Sequence, residues 1–254
     1  MLNEILMYLL SLPAILLALS VHEASHGLMA NKLGDPTAKS FGRLTLNPMK
    51  HIDPFGFLCM LFFHFGWAKP VPVNSRYFKK PRRDMALTAA AGPVSNVLLS
   101  LIFAGLLRLD LLIITKLFQT DLVNVWTILS GTGAEISFGF KMMSVLTYML
   151  YMGVMLNISL AVFNLIPIPP FDGSRIAYTF LPVNLYFKIM RYERYIMIAI
   201  LLLLWCTPFL DGLISSATGG LASLIMTVFG FTGNGEAIMS FNTVLIYVSQ
   251  ALFS

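Results

Sequence analysis

Charged residues are scarce in this chain of 254 residues: Asp, Glu, Lys and Arg make up 11% of it, whereas 57% is apolar and 13% aromatic. A soluble globular protein carries roughly a quarter charged residues, and a disordered chain is poorer in apolar side chains. The mean hydropathy of +0.78 points the same way. The composition therefore excludes a soluble fold and predicts an all-α membrane protein, a polytopic bundle of about five or six transmembrane helices.

Cysteine is also scarce, because Cys59 and Cys206 are the only two and lie far apart in apolar stretches. Without a CxxC pattern, neither a disulfide framework nor a thiolate metal site is expected. The N-terminus has no basic region and no small-residue cleavage site follows it, so we expect no removable signal peptide. The net charge of +5 comes from cations in short stretches between apolar runs, which argues against a nucleic-acid partner.

Five apolar runs are candidates for membrane spans, covering residues 5–30, 85–107, 142–166, 195–209 and 237–253. Residues 221–231 are too short to cross a bilayer, and the Gly219-Gly220 pair before them predicts a break. We expect one integral-membrane domain over residues 1–254, with a core at 1–182 and further spans within 183–254.

A shorter apolar stretch, residues 55–67, has cations on both sides. These ten are Lys32, Lys39, Arg43, Lys50, Lys69, Arg76, Lys79, Lys80, Arg82 and Arg83. Because cytoplasmic loops are rich in Lys and Arg, both flanks belong in the cytoplasm, and we expect a re-entrant or β-hairpin-like segment near residues 55–73. Alternation then places the N-terminus outside, the first span running inward, and the connection 108–141 outside, where Asp110, Asp121 and Glu135 balance its cations.

The first span contains HEASH at residues 22–26, an HExxH pattern. On a helix the i and i+4 spacing puts His22 and His26 on one face, where both imidazoles can bind one metal ion. Glu23 neighbours that face and can accept a proton from a metal-bound water. The three side chains could instead form hydrogen bonds within a bundle, but ionisable residues are costly in a membrane span and favour a functional site.

A catalytic zinc site usually has three protein ligands, and the candidates for the third are His51, His64 and the carboxylates. Asp172 follows the cytoplasmic end of span 142–166 in the proline-rich segment NLIPIPPFDG, residues 164–173. An ordinary turn would explain this segment alone. However, the topology brings Asp172 to the same side of the membrane as His22 and His26, so we favour it as the third ligand. His51 and His64 are expected to be interfacial or structural.

These motifs resemble the site-2 protease family of intramembrane zinc metalloproteases, peptidase family M50. HEASH and NLIPIPPFDG carry the resemblance, supported by GRLTLNP at 42–48, FGWAKPVPVN at 65–74 and AGPVSN at 91–96. The matching stretches run from the first span to residue 173. No stretch is long enough for the PDZ or CBS domain of larger members, so the chain resembles a short form.

The resemblance implies one Zn²⁺ ion held by His22, His26 and Asp172, with Glu23 as the general base. It also implies polar contacts from Asn164 near the site, while Gly92 and Asn96 would let their helix approach the core closely. The implied activity is hydrolysis of peptide bonds in membrane-embedded or membrane-adjacent substrates, by a multi-pass protein of a prokaryotic cell membrane whose active site faces the cytoplasm.

A strand of substrate could add to an edge of residues 55–73, because a helical substrate must be unwound before cleavage. The main alternative function is a membrane metal-ion transporter that uses His22, His26 and Asp172 as a transit site. A transporter would favour ionisable clusters in several spans and repeated broken helices, whereas this sequence has one cluster and one break. A proteolytically inactive binding protein is a further alternative, which the intact Glu23 disfavours.

Overall fold

The computed structural model describes residues 2–63, 67–117, 138–182 and 211–231, together with isolated positions between 185 and 199. Its three longest helices are α1 (Leu2–Lys32), α4 (Pro81–Leu117) and α5 (Phe138–Asn164). Each is long and apolar enough to cross a membrane. They coincide with the predicted runs 5–30, 85–107 and 142–166, so these three predictions are confirmed as candidate spans.

The shorter helices are α2 (Thr37–Ser40), α3 (Pro54–Phe63), α6 (Asp172–Tyr178) and α7 (Asp211–Val228). Two 3-10 turns lie at Pro48–Lys50 and Ser75–Tyr77. The described parts of the chain contain no β-strand. The predicted break at Gly219-Gly220 was wrong, because α7 continues through both glycines. The predicted span 237–253 lies outside the described residues, as does nearly all of 195–209.

Helix α1 ends in a turn that a glycine makes possible. Gly34 has φ +107°, a left-handed conformation that side chains disfavour. The N–H of Asp35 then reaches back to the carbonyl of Ala30 at 2.9 Å, as in a Schellman motif. The fully buried Asp35 carboxylate accepts from the backbone N–H of Thr37 at 2.9 Å and of Asn74 at 2.6 Å. The end of α1 is thus tied to the segment containing Asn74.

The region 55–73 begins with a helix and continues from residue 69 without regular secondary structure. Helix α3 begins at Pro54, and the Asp53 side chain accepts from the N–H of Gly56 at 2.9 Å. Ile52 and Ala68 form an isolated antiparallel bridge. The β-hairpin-like alternative was therefore wrong for residues 54–63, although the bridge brings the two sides of this segment together.

The proline-rich turn after α5 places Asp172. The helix stops at Asn164, three residues before Pro167, and Pro169-Pro170 is a cis peptide bond. The chain then doubles back so closely that a Cβ on Gly173 would lie 2.2 Å from the carbonyl oxygen of Leu165. Asp172 therefore becomes the first residue of α6, beside the end of α5.

The chain forms two compact units. One contains residues 16–98 and 159–218 and holds all the site residues; the other contains residues 1–15, 99–158 and 219–254. In the second unit Asp110 is buried and accepts a hydrogen bond from the Thr147 hydroxyl at 2.6 Å. Helix α4 continues to Leu117, so the connection begins later than the expected residue 108, and Asp110 is a helical residue.

One side of α4 carries exposed apolar side chains at every fourth position. They are Val94, Leu98, Ile102 and Leu106, each between 46% and 58% exposed. A row at this spacing follows one face of a helix. We expect this face to contact lipid.

Candidate metal centre

His22 and His26 on α1 converge with Asp172 on α6. The Oδ2 atom of Asp172 lies 3.1 Å from Nε2 of His22 and 3.2 Å from Nε2 of His26. The imidazole rings meet edge to face with their centroids 4.6 Å apart. Of the described residues, these three form a group that could hold a metal ion, with ligand atoms within 4.8 Å of one another.

Asn96 orients the ring of His22. The Nδ2 atom of Asn96 donates to the carbonyl of Ala18 at 3.3 Å, which turns its Oδ1 atom toward Nδ1 of His22 at 2.5 Å. Because Oδ1 can only accept, Nδ1 of His22 carries the proton. The lone pair of a neutral His22 is therefore on Nε2, the atom that faces Asp172.

A backbone carbonyl performs the same role for His26. The Nδ1 atom of His26 lies 2.7 Å from the carbonyl oxygen of Thr88, so it also donates and leaves the Nε2 lone pair toward Asp172. Thr88, Gly92 and Asn96 are spaced by four residues along α4 and thus share one face of that helix. Both histidine orientations are set from this face.

Gly92 gives the two imidazoles the room that they occupy. A Cβ at this position would lie 2.5 Å from Nε2 of His26 and 2.6 Å from Cε1 of His22, far inside van der Waals contact. A side chain of any size would displace the rings. Gly92 therefore allows α4 to approach the histidines from close range.

The donor set fits a divalent metal ion. The Asp172 oxygen lies 3.1–3.2 Å from each Nε2 atom, and at this distance its charge repels the Nε2 lone pairs unless a proton or a cation lies among them. Ligands bound at zinc distances in a tetrahedron lie roughly 3.3–3.6 Å apart, close to these separations. Two histidines and one carboxylate are also a ligand set typical of catalytic zinc sites.

The neighbouring imidazoles favour the ionised form of Asp172. Burial of its carboxyl group favours the neutral form, but the hydrogen bonds and charges that His22 and His26 contribute outweigh burial and lower the pKa of Asp172 to about 2. A metal ion held by neutral imidazoles would supply the positive charge in their place.

Glu23 points to a different partner. Its Oε2 atom accepts a hydrogen bond from the backbone N–H of Val71 at 2.9 Å. Val71 belongs to segment 69–74, in which Pro70 and Pro72 favour an extended backbone. This extended segment begins where the N–H of Lys69 donates to the carbonyl of His51 at 2.8 Å. The segment therefore lies against α1 at the position of Glu23.

Three further candidates complete the set. Asn164 donates to the carbonyl of Leu160 at 2.9 Å, one turn earlier in its own helix, and its predicted polar contact near the site stays a prediction. His51 is buried and its Nε2 atom lies 2.7 Å from the carbonyl oxygen of Thr45. His64 lies outside the described residues.

The family model for peptidase family M50 matches residues 11–204, which include all of the site residues. The chain belongs to peptidase family M50. A Bacillus subtilis (strain 168) protein named "Putative zinc metalloprotease YwhC" is 39% identical over 194 residues, covering 76% of this chain and 78% of that protein. Its name and the family support a metalloprotease, and the paired histidines with Asp172 agree with a metal-dependent M50 enzyme.

A second relative is more distant. The Mycolicibacterium smegmatis (strain ATCC 700084 / mc(2)155) protein named "Putative zinc metalloprotease Rip2" is 28% identical over 107 residues, covering 40% of each chain. No solved structure matches this M50 chain.

Two groups at this site were missed in the sequence because they are backbone atoms. The carbonyl of Thr88 has no side-chain signature, although its spacing of four residues from Gly92 places it on the same helix face. The N–H of Val71 is the second. Its signal is the flanking pair Pro70 and Pro72, which leave Val71 as the one residue of the three that has an N–H.

Proposed function

We propose that this chain is an intramembrane zinc metalloendopeptidase of the site-2 protease type. The observation that carries the proposal is the convergence of two histidine Nε2 atoms and the Asp172 carboxylate, with both Nδ1 atoms already bound to acceptors. His22, His26 and Asp172 are the zinc ligands and Glu23 is the general base. Bound zinc supplies Lewis-acid polarisation of a scissile carbonyl and of the nucleophilic water.

The residues of the chain supply orientation and proton transfer. Asn96 and the Thr88 carbonyl hold the two imidazoles in the tautomer that presents Nε2. Glu23 accepts the proton of the attacking water and returns it to the departing amine nitrogen. Gly92 keeps α4 close enough to the histidines for Asn96 to contact His22.

The proposed topology puts the site near the cytoplasmic face. His22 and His26 precede the end of α1 by ten and six residues, or about 15 and 9 Å along the helix. The antiparallel bridge between Ile52 and Ala68 supports a re-entrant segment, because it pairs the residues that precede and follow α3. We place the N-terminus outside, five or six spans in one domain, and the protein in a prokaryotic cell membrane.

The substrates are membrane-embedded or membrane-adjacent polypeptides that bind in an extended form. Over residues 69–72 the extended segment offers such a chain only carbonyl acceptors. Pro70 and Pro72 have no N–H, and the N–H groups of Lys69 and Val71 are used within the protein. A substrate strand that adds here therefore supplies the N–H donors itself.

The test uses purified protein in detergent with a single-span peptide as substrate, with and without a chelator. We expect cleavage that the chelator abolishes and added zinc restores. Glu23→Gln should lose cleavage and keep its zinc, because it removes the base and no ligand. Cleavage by Glu23→Gln at the wild-type rate would overturn the assignment of the base.

A metal-flux assay in proteoliposomes addresses the alternative of a transporter. A transporter needs a path with several ionisable groups, whereas the described residues hold one metal-binding group. We expect no protein-dependent zinc flux. Flux without peptide cleavage would favour transport and reject the protease.

A further inference from the structure

We propose that the backbone N–H of Val71 positions the Glu23 carboxylate for proton transfer, an inference that rests on the proposed function. The two groups are 48 residues apart in the chain, and the N–H of Val71 donates to Oε2 of Glu23 at 2.9 Å. A hydrogen bond from a backbone amide to a carboxylate is charge-assisted and thus stronger than one between neutral groups. It commits Oε2 to Val71 and leaves Oε1 to take the proton.

The sequence leaves Val71 as the single backbone donor of the stretch Pro70-Val71-Pro72. Proline has no N–H, so the stretch Pro70-Val71-Pro72 carries one backbone donor, and that donor points to Glu23. The prolines also fix φ near −65° and keep their predecessors extended, so the direction of the Val71 N–H varies little. A stiff segment with a single donor is suited to hold one acceptor in one orientation.

The segment is anchored on both sides of Val71. Before it, the N–H of Lys69 donates to the His51 carbonyl at 2.8 Å. After it, the N–H of Asn74 donates to the buried Asp35 at 2.6 Å. With both ends tied to the protein, the position of the Val71 N–H is set by the fold.

The side chain of Val71 docks on the same face of α1 as Glu23. Gly27 is four residues after Glu23, one turn along the helix, and a Cβ at Gly27 would lie 3.2 Å from Cγ1 of Val71. The absence of a side chain at Gly27 lets the segment approach α1 closely enough for the backbone contact. Val71 therefore acts on Glu23 through its main chain while its side chain fits beside Gly27.

The first test measures the contact without any use of enzyme activity. Amide hydrogen exchange of Val71 is followed by NMR on protein labelled with ¹⁵N-valine, with the Val71 signal assigned by its absence in Val71→Ala. We expect slow exchange in the wild type and in His22→Ala, which removes a ligand but keeps Glu23. In Glu23→Ala, exchange should become at least about tenfold faster, because the acceptor is gone. Equal exchange in the wild type and Glu23→Ala would overturn the proposal.

The second test measures the kinetic consequence on the single-span peptide. Val71→Pro removes the N–H, whereas Val71→Ala keeps it and removes the packing beside Gly27. We expect Val71→Pro to lower kcat roughly 10- to 100-fold, the range for a lost hydrogen bond to a charged group, with KM and zinc content unchanged. Val71→Ala should lose clearly less kcat than Val71→Pro, because it keeps the N–H that donates to Glu23. An equal loss of kcat in both variants would assign the role to the side chain and reject the proposal.

A backbone ester covers the case in which Val71→Pro does not fold. Incorporation of the α-hydroxy analogue of valine at position 71 deletes the N–H and keeps the side chain. The ester variant should show the same loss of kcat, and wild-type kcat in a folded ester variant would overturn the proposal. Chelator-sensitive cleavage by the wild type is the separate measure of the proposed function. If the wild type cleaves nothing, the protease assignment fails, and with it the role of Val71 in proton transfer, while the exchange data still report the contact.

Discussion

The side-chain oxygen of Asn96 lies 2.5 Å from Nδ1 of His22, a residue 74 positions earlier in the chain. This contact determines which nitrogen of His22 is available to a metal ion, because an amide oxygen can only accept a hydrogen bond. An asparagine in an apolar helix is thereby part of the candidate metal centre, through its contact with a proposed ligand. Its second contact, to the carbonyl of Ala18, keeps the amide from turning over.

Replacement of Asn96 should weaken metal binding and leave the ligands in place. Loss of a hydrogen-bond partner behind a metal ligand typically costs 10- to 100-fold in affinity, and we expect this for Asn96→Ala. Competition with a chromogenic chelator measures the zinc affinity. Asn157→Ala is the matched control, since Asn157 is an equally buried amide that donates within its own helix at 2.7 Å. An affinity loss of the same size in both variants would show that the loss does not come from the contact between Asn96 and His22.

Gly92→Ala should disrupt the site by steric displacement. The added Cβ would lie 2.5 Å from Nε2 of His26, so the rings or the helix must move. We expect zinc affinity to fall at least about fivefold, the equivalent of the lower end of the usual cost of overpacking, about 1 kcal/mol. Gly219→Ala is the control, because nothing lies within 4 Å of a Cβ there. Gly219→Ala should leave zinc binding unaltered. Wild-type affinity in Gly92→Ala would show that the imidazoles leave room for a side chain at position 92.

Asp172→Asn should lower zinc occupancy while the shape of the side chain is kept. The amide carries no negative charge and is a much weaker ligand than the ionised carboxylate. Elemental analysis after dialysis should give clearly less than one zinc per chain. Asp53→Asn removes a carboxylate outside the metal-binding group and should retain full occupancy. Full occupancy in Asp172→Asn would require another third ligand.

Asp35→Ala should loosen the segment that carries Val71. The carboxylate of Asp35 is fully buried and accepts backbone hydrogen bonds from Thr37 and Asn74. Hydrogen bonds to charged groups contribute about 1.5–3 kcal/mol each, so we expect a destabilisation of at least about 2 kcal/mol. The thermal midpoint in detergent measures this, and proteolysis between Lys69 and Arg76 should become faster. An unchanged midpoint with unchanged proteolysis would mean that the segment is held without Asp35.

The long helices and the members of the candidate metal-binding group could be predicted from the sequence because their signals lie in short stretches of the chain. Apolar runs show the spans, and the i and i+4 spacing places His22 and His26 on one face. Asp172 needed one further step, the alternation of spans across the membrane. The proline-rich turn supplies the geometry that this step assumed, since it begins α6 at Asp172.

The contacts that tune the site could not be predicted in the same way. Glu23 is paired with a backbone N–H and His26 with a backbone carbonyl. Nearly every residue has these backbone groups, so the sequence gives no signal for the one that makes the contact. The asparagines show the same difficulty for side chains. Asn96 reaches His22 whereas Asn164 bonds back within its own helix, and only the packing of the helices separates these outcomes.

Helix α4 presents opposite sides to two environments. Asn96 and Gly92 face the histidines, while Val94 and Leu98, two residues on and about 200° around the helix, lie in the exposed apolar row. A helix is stiff across its diameter, so a bulky or polar substitution that tilts or turns α4 from its exposed apolar side also moves the groups behind both imidazoles. A genetic screen for altered zinc affinity should therefore recover outward-facing positions that never approach the metal.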